Sequence, residues 1–237
     1  MAEALLQVTN LHAHYGESHI LHGVDFTVNK GEVVTLLGRN GAGRTTTLRA
    51  ILGLTGSRSG SIKINGVEAI ALSTHKIAHL GLGYCPEERG IFASLSCEEN
   101  LLLPPVVGGN GTTGMSVSQI YDMFPNLKER RDSQGTRLSG GEQQMLAVAR
   151  ILRTGASLLL LDEISEGLAL VIVQALARMI RMLKAKGYTI VMVEQNFRFA
   201  APLADRFYVM EHGKIVEGFA SAELTAKMDM LHEYLGV

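Results

Sequence analysis

The sequence predicts an α/β fold: a β/α core joined to an antiparallel β subdomain, with a mainly helical subdomain inserted into the core. Three observations predict it. A glycine-rich turn, Gly38 to Thr46, follows the apolar run Val33 to Leu37 and precedes a helical pattern that begins with Leu48. A second apolar run, Leu158 to Leu161, ends in Asp162-Glu163, as a strand buried on both faces does where it emerges at its carboxyl end. Between the two, from roughly Glu88 to Arg153, the apolar periodicity is helical.

The elements follow in order. Leu5 to His14 alternates as a strand does, Tyr15-Gly16 turns, and Ile20 to Val28 returns as its antiparallel partner. Asn29-Lys30-Gly31 is the next turn, and Glu32 to Leu37 runs into the glycine-rich loop. A helix from Arg44 to Leu52 stops at Gly53. Ser61 to Ile64 and Val67 to Ala69 flank Asn65-Gly66, a strong hairpin signal. A short helix spans Ser73 to His79, and Leu80 to Pro86 reads as a strand entering a loop. Helical periods cover Glu98 to Leu103 and Val117 to Phe124, separated by Pro104-Pro105 and by a flexible link at Gly108-Gly109-Asn110-Gly111. Ser139 opens a helix that runs to about Arg153. After Leu158 to Glu163, a long helix from Leu168 to Lys186 carries Leu168, Ile172, Leu176, Ile180 and Leu183 on one stripe and stops at Gly187. Thr189 to Val193 is another buried strand, followed by a helix from Phe197 to Ala204. Phe207 to Met210 and Lys214 to Val216 form a hairpin across His212-Gly213, and two short helices finish the chain.

Composition narrows the function classes. A chain of 237 residues with 46% hydrophobic residues buries a substantial core without disulfides. The net charge of −1 and the lack of a long Lys/Arg run leave no footprint for nucleic acid. Cys85 and Cys97 form no C-x-x-C pair, which fits core thiols in a reducing compartment. No apolar segment reaches membrane-span length, and Met1-Ala2-Glu3-Ala4 does not open a secretory leader, so membrane association is expected to need a partner. Met145, Met179, Met182 and Met192 lie in apolar patterns and are read as core filling. His75 and His79 have a spacing that can hold a metal, but no third ligand is evident and an exposed helix face is preferred.

Three motifs carry chemistry. Gly38-Arg39-Asn40-Gly41-Ala42-Gly43-Arg44-Thr45-Thr46 fits the phosphate-loop spacing G-x-x-x-x-G-K-[ST], except that Arg44 replaces lysine. Glycines bring successive N–H groups onto one anion, and the positive end of the following helix dipole adds to the attraction. Asp162 at a strand end can hold Mg2+ beside Thr45, leaving Glu163 free to act on water. Leu138-Ser139-Gly140-Gly141-Glu142-Gln143-Gln144 opens a helix, with Ser139 and Glu142 matching the capping box. Capping alone leaves the two glycines unexplained; they suit a backbone that must approach an anion closely.

With these three motifs in this order, nearly the whole chain resembles the ATP-binding cassette family. Tyr84-Cys85-Pro86-Glu87-Glu88-Arg89, Glu99-Asn100-Leu101, Ser165-Glu166-Gly167-Leu168-Ala169 and Val193-Glu194-Gln195-Asn196 are similar to one subgroup, the ATP-binding subunits of branched-chain amino-acid and urea-type importers. The resemblance implies a P-loop NTPase fold with a RecA-like core in residues 1–237, ATP and Mg2+ as cofactors, and an ATPase coupled to solute transport. It places adenine on Tyr15 and phosphates on residues 38–46. It places Mg2+ on Thr45 and Asp162, with Glu87 as a further possible ligand where most cassettes carry glutamine, and catalysis on Glu163 with Gln195. It also implies a second cassette, identical or homologous, whose bound γ-phosphate is covered by Ser139, Gly140, Gly141 and Glu142. Integral membrane permease subunits, an external solute-binding protein and a place on the cytoplasmic face of the membrane complete the expectation, with no nucleic acid. Arg44, Ile164 and Leu170 depart from the subgroup's lysine and two prolines. Of these, Arg44 bears on mechanism: a planar guanidinium binds phosphate yet misses the geometry of a slim ammonium. A nucleotide-binding regulatory module with impaired hydrolysis is therefore the alternative.

Overall fold

The computed structural model describes residues 3–106 and 114–236; the glycine-rich link expected at residues 108–111 lies outside them. Strands β1 (Ala4–Tyr15) and β2 (Ser18–Asn29) pair antiparallel as expected. Leu6, Val8, Leu11 and Ala13 are buried while Gln7 and Thr9 are exposed, the alternation of a sheet with one wet face. Strand β3 (Val33–Leu37) is buried at every position, and helix α1 (Arg44–Leu52) ends at Gly53, whose φ of 75° is the left-handed stop that glycine adopts without strain.

Strand β4 (Ser57–Ile64) begins earlier than the expected Ser61. Its first residues, Ser57 to Ser59, pair with His14 to His12 of β1 although no apolar alternation marks them. Arg58 in this stretch donates to the carbonyls of Ala50 and Ile51, closing the C-terminus of α1. Strand β5 (Val67–Glu68) completes the Asn65-Gly66 hairpin, both turn residues having positive φ.

Helix α2 (Thr74–Ala78) and strand β6 (Leu82–Cys85) lead to α3 (Cys97–Leu102), α4 (Val117–Met123), α5 (Pro125–Glu129) and α6 (Gly140–Thr154). Five residues are too few for α5 to display a period; Pro125 at its first position starts it. Then come β7 (Leu158–Asp162), α7 (Leu170–Ala185), β8 (Thr189–Val193), α8 (Phe197–Ala200), β9 (Arg206–Glu211), β10 (Lys214–Ala220) and α9 (Met228–Leu235). Helix α7 starts after the expected Leu168, and α8 ends before the expected Ala204. Among the described residues no helix is long and apolar enough to cross a membrane.

Two sheets result. The four-stranded antiparallel sheet has the order β2-β1-β4-β5, and the six-stranded sheet has the order β10-β9-β3-β8-β7-β6. The second is parallel except for the β9–β10 hairpin, which adds to the far edge of β3 rather than standing apart. One core cluster holds Leu6, Leu36, Leu48, Ile62 and Val191, joining the two sheets around α1. Another holds Leu146, Leu159, Leu176 and Ile180, joining α6 and α7 to the parallel sheet. Cys85 and Cys97 are both buried and free. Met145, Met179 and Met192 fill core space, but Met182 is 42% exposed, because the buried stripe Leu176-Met179-Ile180-Leu183 passes it on the other side of α7.

Candidate functional site

Because β3, β6, β7 and β8 run parallel, the loops at their carboxyl ends meet at one edge of the sheet. There Asn40, Gly41, Ala42, Gly43, Arg44, Thr45 and Thr46 line a cavity of about 440 Å³ together with Ile20, Glu87 and Glu163. Gly38 turns the chain into this loop where a Cβ would lie 2.5 Å from the Met210 carbonyl oxygen, so only glycine fits. Helix α1 opens directly on the cavity, presenting the unpaired N–H groups of its first turn and the positive end of its dipole.

Arg44 is 4% exposed. Its Nη2 donates to Glu163 Oε1 at 2.8 Å and to Asn40 Oδ1 at 3.4 Å. Its Nη1 is buried without a hydrogen-bond partner among the described residues. Burial pulls the Arg44 guanidinium below its ordinary value and pushes the Glu163 carboxyl above its own, and their mutual attraction opposes both shifts. Glu163 also sits at φ 48°, a left-handed conformation uncommon for a residue with a side chain; its N–H donates to the Val193 carbonyl.

Asp162 ends β7 at 1% exposure. Thr45 Oγ1 donates to its Oδ1 at 3.0 Å, and the Tyr84 hydroxyl donates to its Oδ2 at 2.9 Å. Burial pushes the Asp162 carboxyl above the usual range. A hard divalent cation takes oxygen ligands, and a buried carboxylate beside a threonine hydroxyl at the mouth of a phosphate loop is such a donor set. The unpartnered Arg44 Nη1 and the α1 N-terminus likewise fit a phosphate, so the residues present suit both groups.

The other expected residues are placed differently. Arg39 turns away from the cavity: its Nε and Nη2 donate to the carbonyls of Tyr234 and Glu233 at 3.1 and 3.0 Å, tying the loop to α9. Tyr15 is 38% exposed at the end of β1, outside the lining residues. Gln195 is exposed beyond β8 and does not line the cavity. Its neighbour Glu194, which the sequence reading passes over, is the buried one: Ser165 donates to it through N–H at 3.3 Å and Oγ at 2.7 Å, and burial pushes its carboxyl up to about 8. The legible signal was an acid directly continuing a fully buried strand.

Ser139 and Glu142 form the expected capping box on α6, with bonds of 3.3 and 2.7 Å. Neither they nor Gly140 and Gly141 line the cavity of their own chain. The two glycines also have a packing reason: a Cβ on Gly141 would lie 2.7 Å from Ile172, and one on Gly140 would lie 3.3 Å from the Arg89 guanidinium. Arg89 donates to Gln143 Oε1 at 2.9 Å, linking the loop that carries Glu87 to the first turn of α6. Ile164 is packed in the core, whereas Leu170 is 72% exposed at the start of α7. His75 and His79 are both exposed on α2 and its cap.

Comparison with known proteins gives a consistent result. The ABC transporter family profile matches residues 21–166. The chain is 39% identical over 98% of its length to the whole of the high-affinity branched-chain amino acid transport ATP-binding protein BraG of Pseudomonas aeruginosa. It is 33% identical over 93% of its length to the probable branched-chain amino acid transport ATP-binding protein LivF of Archaeoglobus fulgidus, covering 94% of that protein. It is also 32% identical to the lipopolysaccharide export system ATP-binding protein LptB of Escherichia coli, covering 98% of each. Among solved structures, a nucleotide-free ATP-binding cassette from an ABC transporter superposes with a TM-score of 0.83 at 21% identity, covering 99% of both chains. A dimeric cassette bound to ADP and phosphate gives 0.78 at 21% identity, covering 91% of this chain and 98% of that one.

Proposed function

The chain belongs to the ABC transporter family as an ATP-binding subunit, and from that premise we propose that it hydrolyses ATP to drive import of branched-chain amino acids. One observation carries the catalytic part: the phosphate loop, Glu163 and Glu87 share a single cavity at the carboxyl edge of the parallel sheet. The greater identity to BraG than to LptB favours amino-acid import over lipopolysaccharide export.

The chemistry follows from the residues. The γ-phosphate of ATP seats on the α1 N-terminus and takes the free Nη1 of Arg44, while Nη2 still holds Glu163. When that ion pair opens in the chemical step, Glu163 orients a water molecule and accepts its proton as the water oxygen bonds to the γ-phosphorus. The bond to the β-bridging oxygen breaks, giving ADP and phosphate. Thr45 and Asp162 would hold Mg2+, which when bound neutralises charge on the β- and γ-oxygens.

Ser139 is exposed at the start of α6 and the helix tip does not line the cavity of its own chain, which suits a second cassette closing head to tail over the nucleotide. That partner is a copy of this chain or a homologue. Integral membrane permease subunits would hold the pair on the cytoplasmic face, and an external binding protein would deliver the solute. A nucleotide-binding module without turnover finds no support among relatives described as transport ATP-binding proteins.

The test is ATP turnover by the chain assembled with its membrane subunits in proteoliposomes, with the external binding protein present. Leucine-stimulated phosphate release that disappears in Glu163→Gln, with nucleotide binding kept, is the expected result. Undiminished turnover in Glu163→Gln would overturn the catalytic assignment, and stimulation by lipopolysaccharide instead of leucine would overturn the solute.

A further inference from the structure

The β1–β2 hairpin carries four histidines that the ATPase reaction does not use. His12 faces His22 across the two strands, and His14 faces His19. Their neighbours Leu11, Ala13 and Leu21 are buried, so strand alternation puts the histidines on the outer face of the sheet. The rings are in contact around His19: His14 stacks on it with centroids 4.1 Å apart, His22 lies at 4.1 Å and His12 at 5.2 Å. His19 is exposed and the other three are half-buried, so the cluster is open to solvent.

Nδ1 of His12 lies 3.1 Å from Nε2 of His19, and Nε2 of His12 lies 3.1 Å from Oδ1 of Asn10. An amide oxygen only accepts, so His12 Nε2 carries the proton and His12 Nδ1 carries the lone pair. Holding the far N–H on an oxygen is how metal-bound imidazoles are oriented in proteins. Gly23, at φ 85°, keeps that bond possible: a Cβ there would lie 2.9 Å from Asn10 Oδ1.

We propose that His12 and His19 are the first two ligands of a surface site for a divalent transition metal of the zinc, nickel or copper type. With metal–nitrogen bonds of about 2.0–2.1 Å, nitrogens at this spacing subtend about 95–102° at the ion, between octahedral and tetrahedral values. Without metal, His19 Nε2–H donates to His12 Nδ1. On binding, His19 shifts its proton to Nδ1, and both facing nitrogens become donors with no net change in protons. Among the described residues no three His, Cys, Asp or Glu side chains already converge on one point. The third ligand comes from rotation of His22 or His14, with water filling the remainder. Imidazole donors select zinc, nickel and copper over Mg2+, which separates this site from Thr45 and Asp162. Lys214, whose charge bears on His22, opposes the ion.

Titrate the full chain, free of any polyhistidine tag, with Zn2+ and separately with Ni2+ by calorimetry in the absence of nucleotide. One equivalent bound, at least tenfold more weakly in His19→Gln and about 10–100-fold more weakly in Asn10→Ala, with His75→Gln unchanged, is expected. Cu2+ resonance spectra should carry splitting from two or three nitrogens in the parent and fewer in His19→Gln. Absence of stoichiometric binding overturns the proposal. So does undiminished binding by a His19→Gln protein whose circular dichroism matches the parent.

Discussion

Replacing Arg44 by lysine is the sharpest probe of the proposed nucleotide site. In the structure the guanidinium grips Glu163 at 2.8 Å, with Arg44 at 4% and Glu163 at 14% side-chain exposure. While that pair is intact the guanidinium stabilises the carboxylate's charge, so Glu163 is a weaker base toward water. At an effective dielectric near 20, opposite charges about 4 Å apart attract by roughly 4 kcal/mol, and much of this is offset by their desolvation. A charge-assisted hydrogen bond retains about 1.5–3 kcal/mol net. If that bond must open within each catalytic cycle, it slows the chemical step by about 10–150-fold, at 1.36 kcal/mol per decade. Lysine, a single ammonium on a slimmer stem, lacks the second Nη that reaches Glu163 while the first faces the cavity. Single-turnover hydrolysis at saturating ATP, with nucleotide affinity measured separately, should therefore be at least tenfold faster in Arg44→Lys. The double variant carrying Glu163→Gln should stay inactive. Equal rates for the parent and the Arg44→Lys variant would show that the ion pair is already absent when ATP is bound, and the reasoning would fail.

Two further predictions rest on other buried contacts. Burial holds Glu194 up at about 8 in the folded chain against an ordinary 4.5, so the folded state binds a proton that the unfolded state has released between those pH values. Stability therefore falls as pH rises through that window, and Glu194→Gln removes the loss. The melting temperature of the variant should match the parent near pH 5 and exceed it by pH 9; a constant offset would contradict this. Gly141→Ala places a methyl 2.7 Å from Ile172 and should cost about 1–3 kcal/mol in urea unfolding, with Ile172→Ala in the same chain restoring part of it.

What could be read from the chain was local. The phosphate loop with α1, the Asn65-Gly66 hairpin and the Ser139–Glu142 cap each depend on residues within about fifteen positions, and short-range turn and capping chemistry decides them. The partners that decide the chemistry are far apart in sequence. Arg44 meets Glu163, Arg39 meets the carbonyls at the end of α9, and Arg89 meets Gln143. No periodicity announces such contacts, because long flexible cations take whichever acceptor the tertiary fold brings within reach. The same holds for Gln195, to which the family resemblance assigns a catalytic role and which is exposed after β8, and for the first half of β4, where pairing with β1 overrides weak local preference.

The place of β3 in the parallel sheet has a consequence for biosynthesis. Its two neighbours, β8 and β9, begin about 150 and 170 residues later in the chain. At translation rates of about 5–20 residues per second, the five fully buried residues Val33 to Leu37 wait about 8–30 s for either edge to be covered. During that interval a ribosome-bound chain exposes a sticky, unpaired strand directly ahead of the proposed phosphate loop. A fragment ending at residue 185 should therefore bind a hydrophobic dye and the 237-residue chain should not, which makes the last fifth of this sequence the part that shelters the strand leading into the proposed phosphate loop.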